Sequence, residues 1–215
     1  MIESAKTNPQ DDLAKLQASA HDMASWQHAQ QYLVNGRHAP ALASYRNLVK
    51  QFPGVPQLWA ELGLAAAGDL DFALASQASQ RAAELASADA DLLVSIGQQY
   101  HRLRRLDQSC ACFQRAVAAD PSSVHARLSL AAWFERDRRL DEAWECVQDC
   151  LARHPKDGRA LYFKAFLLHR KGLDGEAETA LRDLLKAGPP DPDVNVRPNI
   201  CWAWCWTRWG NTTRP

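Results

Sequence analysis

Apolar residues recur every three or four positions along most of the chain. They come in paired stretches separated by short polar breaks. "LLVSIGQQYHRL" at 92–103 and "LDQSCACFQRAVAA" at 106–119 form one such pair. This spacing gathers the apolar side chains on one side of a 3.6-residue helix, so each pair predicts a helical hairpin. The breaks are regular. Prolines stand at 53, 121, 155 and 189; the first gap is twice 34, each later gap is 34, and Ser87 fills the vacant slot. Twenty-four residues before these sites lie Ala29, Gly63, Gly97, Ala131 and Ala165, and twelve before lie Ala41, Ala75, Ser109, Ala143 and Ala177. Five before are Leu48, Ala82, Ala116, Cys150 and Leu184; twenty-one before are Tyr32, Ala66, Tyr100, Phe134 and Leu168. The phase holds through five units, 22–55, 56–89, 90–123, 124–157 and 158–191.

A physical reading of one unit follows. The small residue in each helix lets the two helices approach closely where they cross, and larger ones such as Tyr100 and Phe113 fill the space beside that contact. The proline stops the second helix, because it lacks an amide hydrogen and clashes in a helix interior. A single hairpin cannot bury both faces; stacked hairpins can, each covering its neighbour.

These positions resemble the tetratricopeptide repeat, whose pattern asks for W-x2-L-G-x2-Y followed by small, aromatic, Ala and Pro residues at set offsets. The second unit supplies Trp59, Leu62 and Gly63; the third supplies Ile96, Gly97, Tyr100, Phe113, Ala116 and Pro121. Departures are scattered: His28 and Lys164 stand where Leu is usual, and the second unit lacks its aromatics. The resemblance covers 22–191. It implies an all-α fold, a right-handed α-solenoid of five tetratricopeptide helix hairpins with a concave groove. Residues 1–21 then form an N-terminal segment, partly helical or flexible, and 192–215 a Trp-rich tail outside the repeat.

The tail, "NICWAWCWTRWGNTTRP", carries four of the eight Trp, and neither helical nor strand periodicity separates a wet face from a dry one in it. Trp has one codon and Cys two, so this stretch nearly dictates its own DNA. Shifted by one frame, it reads Leu-Gly, a second Gly seven places on and Tyr or His two beyond, as in the first helix of a further repeat. The expectation is that the tail is out of frame and poorly structured. Leu181, Leu184 and Leu185 would then lack their natural neighbour and be partly bare.

Composition narrows the function. Lys plus Arg and Asp plus Glu each number 25, and this balance argues against nucleic-acid binding, which needs surplus cations. No run of apolar residues is long enough to span a membrane, and the N-terminus lacks a signal-peptide pattern, which predicts a cytoplasmic chain. The six Cys include no C-x2-C pair, and no HExxH appears, so no metal site is expected. Cys110, Cys112, Cys146 and Cys150 read as small buried apolar residues. Dispersed His and the absence of G-x-S-x-G or a phosphate loop predict no catalysis and no cofactor.

The resemblance places groove residues at the second, fifth, ninth, twelfth and thirteenth positions of each unit. These include Trp26, Gln30 and Leu33 in the first unit and Leu64 in the second. Val94, Gln98, His101 and Arg102 come from the third, and Leu128, Glu135 and Arg136 from the fourth. The fifth adds Arg159, Tyr162, Phe166, His169 and Arg170. Arg102, Arg136 and Arg170 share one position and should align as a ladder suited to carboxylates. Tyr162 and Phe166, one turn apart, would receive an apolar side chain. The predicted role is a protein-interaction scaffold whose groove takes a peptide or partner protein with acidic and apolar residues. The alternative for the arginine row is a solvated edge paired with acids such as Glu135 or Asp137. Where chaperone-binding members carry Lys and Asn, this chain has Trp26, Gln30, Ala60 and Glu61, so chaperone binding is not assigned. Self-association through the groove or an uncapped end is a further possibility. So is a parent gene encoding an enzyme: the repeats, with "PPDPDV" at 189–194, loosely resemble the N-terminal array of bacterial tetratricopeptide sulfotransferases. Reading the coding DNA beyond residue 192 checks the frame reading: an open frame continuing the repeat is expected, and an immediate stop overturns it.

Overall fold

A computed structural model describes residues 9–187, and among them every regular element is an α-helix. The first, α1 (Pro9–Ala18), precedes the repeat. Five hairpins follow. They are α2 (Ala20–Val34) with α3 (His38–Gln51), α4 (Pro56–Gly68) with α5 (Phe72–Leu85), and α6 (Ala90–Arg102) with α7 (Leu106–Ala119). Next come α8 (Val124–Arg136) with α9 (Leu140–Arg153), and α10 (Gly158–Arg170) with α11 (Asp174–Ala187). From α3 onward, helices in the same role begin 34 residues apart. The fold is the expected α-solenoid of hairpins.

The turn inside each hairpin obeys the same interval. Gly36, Leu70, Arg104, Arg138 and Gly172 all have positive φ, between 61° and 78°. Each turn closes the first helix with two bonds. In the first hairpin, the amide of Arg37 donates to the Tyr32 carbonyl at 2.8 Å and that of Gly36 to Leu33 at 3.0 Å. The others repeat this with Asp71 to Ala66, Arg105 to Tyr100, Arg139 to Phe134 and Leu173 to Leu168. This is a left-handed residue followed by a six-to-one bond, which satisfies carbonyls left open at the helix end. Glycine meets the requirement freely in two turns; in the other three an L side chain bears the strain. Stop signals also recur: Pro53, Pro121 and Pro155 each fall two residues beyond the end of α3, α7 and α9. Pro189 lies outside the described residues.

Two compact units make up the chain, residues 1–126 and 127–215. In the first, Gly97 shows why the crossing residue is small. A Cβ there would stand 2.6 Å from the Phe113 ring, and the Ser109 hydroxyl donates to the Gly97 carbonyl at 2.8 Å. Ala29, Ala41 and Ala75 are likewise fully buried at their crossings. Neighbouring hairpins are tied as well. The Trp59 indole N–H donates to the Pro53 carbonyl at 2.8 Å, and an Arg115 guanidinium N–H donates to the Ala86 carbonyl at 2.8 Å. The N-terminal segment is anchored: Leu16 on α1 is fully buried, and buried Asp12 accepts from the Gly54 amide at 2.9 Å.

The second unit uses the same contacts, with Ala131, Ala143, Ala165 and Ala177 buried. Lys171 Nζ pairs with Asp141 at 2.7 Å and sits 5.4 Å from the centre of the Trp144 ring. Leu184, expected to be partly bare, is buried, while Leu181 is half-buried against Ala165, Leu168, Ala177 and Ala180. The Leu185 side chain and the tail 192–215 lie outside the described residues.

The turn geometry yields a stability prediction. Leu70 is 73% exposed at φ 66°, so Leu70→Gly removes strain without opening the core. It is expected to raise the unfolding free energy by roughly 0.5–1 kcal/mol, and Gly36→Ala to lower it by about 1 kcal/mol. Urea unfolding of the two variants against the parent protein decides it; a destabilised Leu70→Gly would contradict the strain.

Candidate functional site

The inward positions of the first-unit helices are only partly open. Trp26 and Gln30, on α2, both point at Glu61 on α4. The Trp26 indole N–H donates to Glu61 Oε2, and the Gln30 amide donates to Oε1 at 2.9 Å. The Tyr45 hydroxyl is buried beside the same carboxylate without a hydrogen bond of ordinary geometry. Burial raises the Glu61 carboxyl above the usual glutamate range, against the opposing pull of Gln30, Trp26 and Tyr45. The same burial, with the nearby Glu61 charge, pushes the Tyr45 phenol well upward. Two predicted groove residues thus have a second role, joining the first two hairpins.

Elsewhere in this unit, Val94 is fully buried and serves the core. Gln98 and Arg102 are exposed, and His101 is half-buried. Leu33, Leu64 and Arg102 converge on a pocket of about 410 Å3. His38, Phe72, Gln99 and Leu103 complete its principal walls. The His38 ring lies where a Cβ on Gly68 would stand, 2.3–2.5 Å away, so the glycine makes room for the imidazole.

In the second unit, α10 carries five predicted residues, and most have internal partners. Arg159 pairs with Asp157 at 3.1 Å, His169 Nδ1 faces Asp174 at 2.7 Å, and Arg170 Nε pairs with Glu135 at 2.8 Å. Tyr162 is buried, so its ring belongs to the core and not, as expected, to an open receptor for an apolar side chain. Phe166 is half-buried, with its ring 5.7 Å from that of Phe163. Arg102, Arg136 and Arg170 are the last residues of α6, α8 and α10. A cation there also complements the negative end of the helix dipole. The acid pairing weighed for this row is real at Arg170.

Cys112, Cys146 and Cys150 are poorly suited to act as nucleophiles. Cys112 and Cys150 are buried as expected, whereas Cys110 and Cys146 are half-buried. Burial pushes the Cys112 and Cys146 thiols up to about 11 and raises Cys150 too, which keeps them protonated. Among the described residues, no group of three or more His, Cys, Asp or Glu is placed to hold a metal ion. No helix among them is long and apolar enough to cross a membrane.

Family models of the tetratricopeptide repeat match residues 23–54, 94–146 and 134–192, more than half of the chain. The chain belongs to the tetratricopeptide-repeat family. Similar solved structures share its fold. MamA from Desulfovibrio magneticus RS-1 is 17% identical with a TM-score of 0.62, the match covering 77% of this chain and 93% of that one. YrrB, described as a tetratricopeptide protein with an unusual peptide-binding site, is 16% identical at a TM-score of 0.59, covering 95% and 100%. PilF of Pseudomonas aeruginosa is 17% identical at 0.62, covering 78% and 77%. No curated protein matched the chain. This tetratricopeptide protein is accordingly a helical-repeat scaffold of a kind that binds other proteins.

Sequence reasoning did not single out His38, Phe72 or Gln99, and treated Glu61 only as a residue that did not fit another pattern. No repeat signal marks them, because the residue type at these positions changes from unit to unit, with Gln31 alone matching Gln99. A buried polar side chain is announced by its neighbours in space, and those come from different helices.

Glu61 generates a pH prediction. Its folded-state pKa is raised, so the stability it contributes is full below the unfolded-state value and is lost as pH rises through the folded one. Glu61→Gln removes that loss. The stability of the variant minus that of the parent is therefore expected to grow between about pH 4 and pH 7. Paired urea titrations across that range check it, and a difference that stays flat would show that the carboxylate bears no burial penalty.

Proposed function

We propose that the inward positions of the first helices of the hairpins bind an extended or helical segment of a partner protein, rich in acidic and apolar residues. The observation that carries this reading is the recurrence of Arg102, Arg136 and Arg170 as the final residue of α6, α8 and α10. The same register carries a cation at the end of α6 in the first unit, where Leu33 and Leu64 are partly exposed, and at the ends of α8 and α10 in the second, where Phe166 is partly exposed. Arginine forks favour carboxylates, and apolar side chains anchor the segment by leaving water. Arg170 is held by Glu135 in the free protein, so an acidic ligand exchanges one carboxylate for another there. That exchange makes the cations contribute to selectivity more than to affinity.

The test is selection of peptides from a random display library by the full chain, followed by affinity measurement. Enrichment of Asp, Glu and large apolar residues is expected. Arg136→Ala and Arg170→Ala should each weaken the selected peptides about fivefold, and added salt should do the same. Unchanged affinity in both variants removes the row from the binding surface. Sedimentation at several concentrations shows whether a second copy competes for it.

A further inference from the structure

We infer that the pocket of the first unit, at the turn end of its inward positions, is an anchoring site for one aromatic or long aliphatic side chain of the partner segment, whose neighbouring carboxylate is held by Arg102; the inference rests on the peptide reading above. Three observations carry it. The pocket, about 410 Å3, falls within the range of roughly 300–1,000 Å3 usual for built ligand sites. Its walls are apolar, from Leu33, Leu64, Phe72 and Leu103, and Phe72 stays 57% exposed at the mouth. Val34, Leu70 and Leu106, at the hairpin turns of the same unit, are exposed too. Of these four, Phe72 lines the pocket, and its exposed ring enlarges the apolar surface that a partner side chain would meet.

Charge sets the chemistry of that partner. The lining includes Arg102 and His38 and no carboxylate. Arg170 is paired with Glu135, whereas no ion pair to Arg102 is found among the described residues. An acid beside the anchoring side chain completes Arg102, and a basic residue in its place meets a cation.

Two buried polar groups at this pocket are unsatisfied. Gln99 is only 4% exposed, and its Oε1 accepts from the Ser79 hydroxyl at 3.0 Å. Nε2 of the same amide is buried without a hydrogen-bond partner, as is His38 Nδ1. His38 Nδ1 lies against Gly68, so the Gln99 amide is the group that points to a ligand bringing its own polar atom, because buried donors without acceptors are uncommon in folded proteins. The backbone of a peptide seated by its side chain supplies a carbonyl for the Gln99 amide.

The experiment uses the full chain and a short fluorescein-labelled probe, Gly-Ser-Glu-Phe-Glu-Gly-Ser, followed by fluorescence anisotropy. Control probes carry Lys in place of both Glu, or Ala in place of Phe. The expected result is saturable binding of the parent probe and about tenfold weaker binding of each control. Arg102→Glu should weaken the acidic probe about tenfold and restore part of the binding of the Lys probe. Ala67→Phe, which fills the pocket, should abolish binding while leaving the thermal melt near that of the parent protein. Should that variant fold poorly, Phe72→Ser at the exposed mouth gives the same comparison. No saturable binding of the acidic probe, or equal binding by the parent, Arg102→Glu and Phe72→Ser, overturns the pocket. If library-selected peptides then still depend on Arg136 or Arg170, the peptide surface stands and the pocket alone is rejected. If they depend on none of the three arginines, both readings fall.

Discussion

Close contact between two helices at a residue with almost no side chain underlies everything else in this protein. At Gly97 the second helix of the hairpin brings the Phe113 ring to a point that any Cβ would occupy. Ser109, from the same helix, reaches the Gly97 carbonyl. At that separation the larger side chains interdigitate around the crossing, and packing density approaches that of a crystal. Ala29 with Ala41, and Ala131 with Ala143, do the same in other hairpins. Each contact is weak alone. Repeated at a constant interval, they give the hairpins the same shape, so within each unit one covers the next.

The turn makes the shape reproducible. A left-handed residue with a six-to-one bond appears in all five hairpins, although glycine occupies it in only two. The strain at Leu70, Arg104 and Arg138 persists because both helices are held by their crossing, and the turn has no other way to join them. Two of the following residues gain a compensating contact. Arg37 lies 5.0 Å from the centre of the Tyr32 ring and Arg139 4.6 Å from that of Phe134, so these cations cover the aromatic that ends the first helix.

On this scaffold, polar side chains at the inward positions make structural contacts of their own. Trp26, Gln30 and Glu61 join two hairpins, and Arg170 reaches Glu135. Such pairs are partly exposed. Arg102 differs, because it borders an apolar-walled cavity with the buried, unsatisfied Gln99 amide and no acid.

The fold was legible in the primary structure to an unusual degree. The small residues at 29, 63, 97, 131 and 165, the stops at Pro53, Pro121 and Pro155 and the aromatics at 32, 100 and 134 landed where the interval put them, because helix crossing is local and repeats itself. The anchoring of α1 through Leu16 and Asp12 carried no such signal, and neither did the burial of Tyr162. The inward register was readable as a set of positions. Which of them stay open was not, since that depends on partners one hairpin away. The chain alone determined the period, the hairpins and the row of arginines. Only tertiary packing decided that Glu61 would gather Trp26 and Gln30, that Arg170 would pair with Glu135, and that His38, Phe72, Gln99 and Arg102 would surround one cavity. Apart from Gln99 and Arg102, which share α6, those residues stand about thirty or more positions apart on different helices, and the identity of the partner there is not set by the repeat.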